Sequence, residues 1–400
     1  MGTNAIEIKK GIYWVGVLDK ELETFDIVME TKYGTTYNSY FIDAQKKTII
    51  DTVKAGFRDE YLEKIRSLVN PAEIEVIVVN HTEPDHSGNV AALLELAPNA
   101  TVYGSKIALA YLGEIMNRPF SSCAVKDGDT ISLGNKTLQV INAPNLHWPD
   151  TIYTYLAEDK LLFTCDSFGA HYSDEKMYDD LVDATKYNEA FEYYFDVILK
   201  PFSSFMLKAI EKIIPLNIDM ICPGHGPILR SGWKQIVDKS GELSARYIEQ
   251  TCNSNTNVLI TYVSAYGYTQ QMASDIAKGI KSVKDCNVEL LDIENILLGD
   301  LESKLVASNA LIVGSPTINK NTLLPVYRLF ALISPLRDRN KKAAAFGSYG
   351  WSGEAVGLIE SNLKALGLDV VVEGAREKFA PGNEKEQTMV NFGKKFAEKL

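Results

Sequence analysis

The sequence predicts an α/β protein of two domains: a sheet-rich first half layered by helices, then a doubly wound parallel sheet. Three observations carry this. At 400 residues the chain is longer than one hydrophobic core usually supports. Short apolar and β-branched runs crowd residues 36–165, whereas strands and helices alternate regularly after residue 257. Between the halves, Cys252–Asn257 (C-N-S-N-T-N) is a run of small polar residues suited to a linker. The expected domains are residues 1–252 and 256–400.

In the first half, Thr36–Ile42 and Lys47–Thr52 read as paired strands, Arg58–Val69 as an amphipathic helix, and Glu75–Asn80 (E-V-I-V-V-N) as a buried strand. A helix follows around Asn89–Leu96. Strands recur at Thr137–Asn142, Thr151–Leu156 and Lys160–Cys165, and a helical stretch, Tyr187–Ile214, leads to a last strand at Asp219–Cys222. In the second half, strands Val258–Val263, Val288–Asp292, Ala310–Val313 and Ala343–Phe346 alternate with helices at Met272–Val283, Val326–Ile333 and Gly353–Leu366.

Composition narrows the function. Apolar residues make up 46% and charged residues 23%, so the chain is globular rather than disordered. The net charge is −11, from 41 basic and 52 acidic residues, and no basic run stands out. A nucleic-acid partner is not expected, because phosphate neutralisation needs a basic surface. No stretch approaches eighteen uncharged apolar residues, so no membrane span is expected. The N-terminal segment lacks the apolar core of a signal peptide. Five scattered cysteines without a C-x-x-C fit reduced thiols in a cytoplasm, and exclude a rubredoxin-type, zinc-ribbon or thioredoxin motif.

The five histidines all fall within the first 225 residues. Asn80–Gly88 reads N-H-T-E-P-D-H-S-G after a buried strand, packing His81, Glu83, Asp85 and His86 into six positions. Alternate residues of an extended loop point the same way, so 81, 83 and 85 can converge while His86 turns to a neighbouring site. His147 (A-P-N-L-H-W-P-D), Asp166 and His225 (C-P-G-H-G-P) also follow predicted strands, where α/β sheets build sites. Four histidines and three carboxylates suit two metal ions, and a carboxylate-rich set favours iron or manganese over zinc.

The H-x-x-x-D-H core with the later His, Asp and P-G-H-G resembles the metallo-β-lactamase fold, an αββα sandwich. Glu83 stands where the zinc hydrolases of that fold carry a second His. H-x-E-x-D-H, L-H-W-P-D, the strand-end Asp and G-H-G together resemble the flavodiiron proteins (A-type flavoproteins). The resemblance implies one iron on His81, Glu83 and His147, another on Asp85, His86 and His225, and Asp166 bridging them. It also implies that Tyr193 or Tyr194 can face the pocket; His171, the one His outside this set, is either a pocket-lining residue or a plain core or surface histidine. Asp150 is a candidate hydrogen-bond partner for His147.

The second half has three loops at strand ends. Ser264-Ala265-Tyr266-Gly267-Tyr268-Thr269 opens a helix and suits an anion, because free N–H groups and the helix dipole meet there. Ser315-Pro316-Thr317-Ile318-Asn319 and Ser348-Tyr349-Gly350-Trp351-Ser352-Gly353 follow later strands. Neither G-x-x-x-x-G-K-[ST] nor G-x-G-x-x-G is present, which argues against an NTPase and a dinucleotide fingerprint. The three loops resemble the FMN site of flavodoxins, implying a flavodoxin-like domain with Tyr349 and Trp351 bordering the ring.

The family resemblance implies an oxidoreductase that takes dioxygen to water, nitric oxide to nitrous oxide, or both. Nitric oxide reduction as the main activity is the alternative. A hydrolase has no use for a flavodoxin domain; an electron-transfer flavoprotein with a vestigial metal site is a further alternative, against which the presence of all seven ligands argues. Electrons would come from a rubredoxin-like protein or reduced deazaflavin. The family forms head-to-tail homodimers, so a homodimer or a dimer of dimers is expected.

Overall fold

A computed structural model describes residues 4–25, 29–252, 256–335, 337–339, 341–380 and 382–400 of the chain. Contacts within the chain divide it into two units, Met1–Ile248 and Glu249–Leu400. Residues 253–255 of the expected linker lie outside the described residues.

The first unit is built on two sheets. One has seven strands in the order Ile6–Lys9, Ile12–Trp14, Tyr40–Ile42, Lys47–Ile50, Ile74–Val78, Thr101–Ser105 and Ser122–Val125. The other has five: Thr130–Ser132, Thr137–Asn142, Ile152–Leu156, Leu161–Cys165 and Met220–Pro223. Their inner faces share one core, in which Trp14, Tyr40, Ile50 and Val78 cluster with Val140, Ile152 and Phe163. The outer face of the first sheet packs Ile77 and Val79 against Tyr61, Leu62 and Ile65 of helix Arg58–Leu68 and Val90 and Leu93 of helix Val90–Leu96. The outer face of the second packs Tyr153 and Leu162 against Tyr187 and Phe191 of helix Ala184–Tyr194 and Met206 of helix Ser203–Ile213. Helix, sheet, sheet and helix form four layers, as expected of an αββα sandwich.

Two expected elements are broken. Thr36–Ile42 is two strands, Thr35–Tyr37 and Tyr40–Ile42, which pair with different partners. Asn38 sits at the break. It accepts from the Trp14 indole N–H at 2.8 Å and donates to the carbonyls of Pro223 and Gly226 at 2.9 Å, pinning the strand to the loop that carries His225. The helical stretch 187–214 is interrupted by a π-turn at Phe195–Leu199 and a 3₁₀ turn at Lys200–Phe202, where Pro201 has no N–H to continue an α-helix. Short strands such as Ile12–Trp14 and Thr101–Ser105, and the long helix Trp233–Cys252, add elements that the sequence patterns leave unassigned.

The second unit is a parallel sheet in the order Asn287–Asp292, Asn257–Tyr262, Ala310–Gly314, Lys342–Tyr349 and Asp369–Val370, with Ala375–Lys378 also on Lys342–Tyr349. Numbered along the chain, that is the 2-1-3-4-5 order of a flavodoxin-like fold. Helices Tyr268–Lys281 and Asn383–Ala397 cover one face; Leu298–Ala307, Leu324–Leu332 and Glu354–Ala365 cover the other. The first two helices touch backbone to backbone. A Cβ on Gly279 would lie 2.1 Å from the Val390 carbonyl and one on Gly393 2.2 Å from that of Ile276, so only glycine permits the approach.

Candidate metal centre and cofactor cavity

Seven ligand-type side chains meet where strands of the first unit end. Beyond Ile74–Val78, the Asn80 N–H is held by Asp51 Oδ1 at 2.7 Å, and His81 follows. Glu83 precedes a single helical turn, Pro84–Ser87, that carries Asp85 and His86. Asp166 directly follows Leu161–Cys165, and His225 lies just beyond Met220–Pro223. His147 reaches in from the segment between Thr137–Asn142 and Ile152–Leu156.

Asp166 lies at the middle. Its Oδ2 is 3.5 Å from His81 Nε2 and 3.8 Å from His147 Nε2. Its Oδ1 is 3.0 Å from His86 Nε2 and 3.4 Å from His225 Nε2. Glu83 Oε2 closes the first set, 3.3 Å from His81 Nε2 and 2.9 Å from His147 Nε2. Asp85 Oδ2 closes the second, 3.4 Å from His86 Nε2 and 3.1 Å from His225 Nε2. His81, Glu83, His147 and Asp166 therefore form one group and Asp85, His86 and His225 another, with ligand atoms within 4.8 Å of each other in each. One carboxylate faces both.

These residues fit two metal ions. Asp85 Oδ1 and Oδ2 and Asp166 Oδ2 are buried without a hydrogen-bond partner among the described residues. Buried carboxylate oxygens without donors are costly, and cations between the two groups would satisfy them. Oxygen and imidazole donors at this count suit iron. Cys165 also lies near His86 and Asp166, but burial and the neighbouring carboxylates push its thiol well above the usual range and keep it neutral.

The outer nitrogens of two imidazoles are fixed by acceptors. His81 Nδ1 donates to Asp150 Oδ1 at 3.0 Å, and Asp150 Oδ2 accepts from the Thr82 N–H at 2.8 Å and hydroxyl at 2.6 Å. His225 Nδ1 donates to the Thr36 carbonyl at 2.6 Å. With Nδ1 protonated, each Nε2 lone pair is aimed inward. Burial alone would lower the His81 imidazolium, but bonds to Asp150 and Glu83 raise it well above the ordinary value. His225 behaves alike: burial opposes its charge, yet Asp166 and Asp85 lift it to about 10. Burial would raise Glu83 and Asp166, but His147 and His81 hold the first below the usual carboxylate range, and His86 and His225 hold the second.

The expected outer residues sort clearly. Asp150 partners His81, not His147; the chain turns at Trp148, whose carbonyl accepts from the Asn145 N–H at 2.7 Å, and this carries the Asp150 carboxylate inward beneath His81. Tyr194 is buried and its hydroxyl donates to Asp166 Oδ1 at 3.3 Å, while Tyr193, one helical step away, is exposed. His171 is buried behind His225, ring centroids 5.1 Å apart, with Nδ1 2.9 Å from the Thr35 hydroxyl. Burial and the His225 charge push its imidazolium well down, so it is neutral. Sequence reasoning missed Thr35, Thr36, Asp51 and Trp148. Trp148 packs edge-on to His81 at 5.1 Å, and its place in L-H-W-P-D was the one available signal.

At the strand ends of the second unit the three expected loops surround a cavity of about 320 Å³. Ser264, Tyr266, Tyr268 and Thr269 line it from the first loop, Pro316, Thr317, Ile318 and Asn319 from the second, and Ser348, Tyr349, Gly350, Trp351 and Ser352 from the third. Gly267, Ser315 and Gly353 do not line it. Gly267 has φ +80° and opens helix Tyr268–Lys281, whose positive dipole end suits an anion; in its first turn the Gln270 N–H donates to Ser264 Oγ at 3.2 Å. Ser315 is buried, its hydroxyl accepting from the Leu323 N–H at 3.3 Å. Ala265 of the first loop, Lys320 and Phe379 complete the lining, and sequence reasoning passed over Lys320 and Phe379. Aromatic walls, hydroxyls and an anion-binding helix start fit FMN.

Residues 35–226 match the ODP family beta lactamase and residues 260–393 match the flavodoxin family. Over 401 residues the chain is 42% identical to the flavo-diiron protein FprA2 of Clostridium acetobutylicum, spanning 99% of this chain and 100% of that one. The chain belongs to the flavodiiron protein family. It is also 34% identical to the nitric oxide reductase of Moorella thermoacetica, over 99% of this chain and 98% of that one. Its structure is similar to that of the rubredoxin oxygen:oxidoreductase from Desulfovibrio gigas, with a TM-score of 0.73, 30% identity, and coverage of 99% and 98%. As a flavodiiron protein it is an oxidoreductase that uses FMN and two irons. Its first half is metallo-β-lactamase-like and its second flavodoxin-like, as the motifs implied.

Proposed function

We propose that this flavodiiron protein reduces dioxygen to water and nitric oxide to nitrous oxide, with dioxygen as the main substrate. The observation that supports it most is Asp166, whose two oxygens face two separate groups of ligands. In this reading His81, Glu83 and His147 hold one iron, Asp85, His86 and His225 the other, and Asp166 both. When bound, two ferrous ions and a reduced FMN supply four electrons, the number that takes dioxygen and four protons to two waters. Pairing two nitric oxide molecules as nitrous oxide and water takes two electrons and two protons. A relative bearing the name nitric oxide reductase supports that second reading.

The chain's own residues prepare the site. Asp150 and the Thr36 carbonyl fix the tautomers of His81 and His225. Tyr194 donates to Asp166 and carries a proton into an otherwise acceptor-rich pocket. Burial around His86 and His81 excludes bulk water, while His147, 21% exposed, marks the open side.

A rubredoxin-like protein or reduced deazaflavin would serve as the electron donor, the first in keeping with the structural neighbour named rubredoxin oxygen:oxidoreductase. The protein would act in the cytoplasm, consistent with four free cysteines among the described residues. No helix among the described residues is long and apolar enough to cross a membrane. Protomers would pair head to tail, so that the flavin of one chain serves the irons of the other; the two sites lie at strand ends of separate sheets. Turnover measured separately with dioxygen and nitric oxide, using a panel of donors, tests the reading. Iron-replete, FMN-loaded protein that reduces neither gas would overturn it. For the pairing, a His81→Ala/Asp166→Ala chain mixed with a flavin-free chain should regain activity in confirmed heterodimers; inactive heterodimers would refute it.

A further inference from the structure

We propose that Lys320 raises the reduction potential of FMN in this cavity, an inference that rests on the flavin reading given above. Ile318 and Asn321 form an isolated antiparallel bridge, each N–H donating to the other's carbonyl at 3.1 and 3.0 Å. Asn319 and Lys320 alone lie between them, with φ of 53° and 59°. That is the backbone of a type I′ hairpin turn, whose second central position favours glycine. Asparagine tolerates left-handed backbone, but lysine there is strained, and such strain persists where a site holds it.

The strained residue is also the one with charge. Lys320 lines the cavity, and it is the sole charged side chain among the described residues that do so; no carboxylate shares the lining. Aromatic side chains share the lining with it, among them Tyr349, Trp351 and Phe379. An isoalloxazine ring that takes up two electrons and one proton acquires a net negative charge. An ammonium at the rim stabilises that form more than the neutral oxidised ring, and the apolar walls reduce screening. Because Lys320 itself is exposed, the effect is modest: about tenfold in the reduction equilibrium, or about 30 mV for a two-electron couple.

The test uses the full chain loaded with FMN, titrated reductively at low ionic strength against reference dyes. Lys320→Gln should shift the flavin equilibrium about tenfold toward the oxidised form and Lys320→Glu further, while Lys320→Arg stays near the parent. High salt should shrink the differences. Gln and Glu variants that keep FMN at the parent potential would overturn the proposal. So would loss of FMN from a folded Gln variant, because Lys320 would then hold the oxidised cofactor rather than tune its reduction. Parent protein that takes up no FMN would instead sink the flavin reading beneath it. Lys320→Gly should raise the urea midpoint of the second unit, since glycine suits the turn. An unchanged or lower midpoint would mean that the turn is not strained and would remove the reason to assign Lys320 to the cofactor.

Discussion

Asp150→Asn is the sharpest test of how the metal centre is held. Asp150 is fully buried, and both of its oxygens are committed: Oδ1 to His81 Nδ1 at 3.0 Å, Oδ2 to the Thr82 N–H and hydroxyl at 2.8 and 2.6 Å. Asparagine has the same shape but only one acceptor. Whichever way the amide turns, an NH₂ faces a donor, either the His81 ring N–H or the Thr82 amide. Losing one charge-assisted bond and leaving its partner unsatisfied costs about 1–3 kcal/mol. The His81 Nδ1–H is then no longer fixed, and loss of such a partner typically weakens a metal site about 10- to 100-fold, the same energy range. The second group is spared, because Asp85, His86 and His225 make no contact with Asp150 that their geometry requires. Iron removal by graded chelator should therefore turn from one transition into two, with half of the iron leaving at about 10- to 100-fold lower chelator. Both irons leaving together at the parent concentration would refute the role given to Asp150.

Other perturbations follow from the same geometry. Asp166→Ala should leave the protein well below two irons per chain, because both groups lose a carboxylate; two irons retained by metal analysis would contradict the bridge. Ser264→Glu should place a carboxylate at the helix start expected to take the FMN phosphate, emptying the flavin while iron content stays at the parent level. In the second unit, burial would raise the Asp338 carboxyl, but Arg337 at 2.8 Å and Lys341 at 3.0 Å hold it below the usual range. A depressed carboxyl contributes stability that is present above its unfolded value, about 3.9, and lost as pH falls through the lower folded value. Urea unfolding of the second unit should weaken as pH drops below about 4, and Asp338→Asn should be less stable at neutral pH with a flatter acid limb.

Much of the metal centre was legible because its ligands cluster in sequence. His81, Glu83, Asp85 and His86 fall within six consecutive positions, and the other three follow strands that hydrophobic patterning marks. What patterning could not give is direction. Proximity in sequence pairs Asp150 with His147, three residues away, yet the intervening turn sends it to His81. Tyr193 and Tyr194 are adjacent letters, yet the helix buries the second and leaves the first exposed. Thr35 and Thr36 reach His171 and His225 from 136 and 189 residues away along the chain, beside a strand break at Asn38 that no local signal announces. Lys320 escaped notice because a lysine in a loop reads as solvated surface, and its meaning depends on a backbone conformation that residue identity does not reveal.

The arrangement also explains why the site tolerates so much buried charge. Glu83, Asp85 and Asp166 place three carboxylates in a pocket where an isolated one would be costly. The imidazoles contribute to their balance: despite burial, His81, His86 and His225 are all raised toward the charged form by the acids beside them. Metal ligation requires those same Nε2 atoms to be bare. Two divalent ions bring enough positive charge to offset the three carboxylates with every imidazole neutral. Protons and metal thus occupy one set of nitrogens in turn, and either keeps the core paired. Glu83, standing where the related zinc hydrolases have a histidine, makes the pocket more anionic and increases its demand for cations. The carboxylate-rich composition that selects the metal is the same one that would strain the empty fold, so cofactor preference and stability share a physical cause.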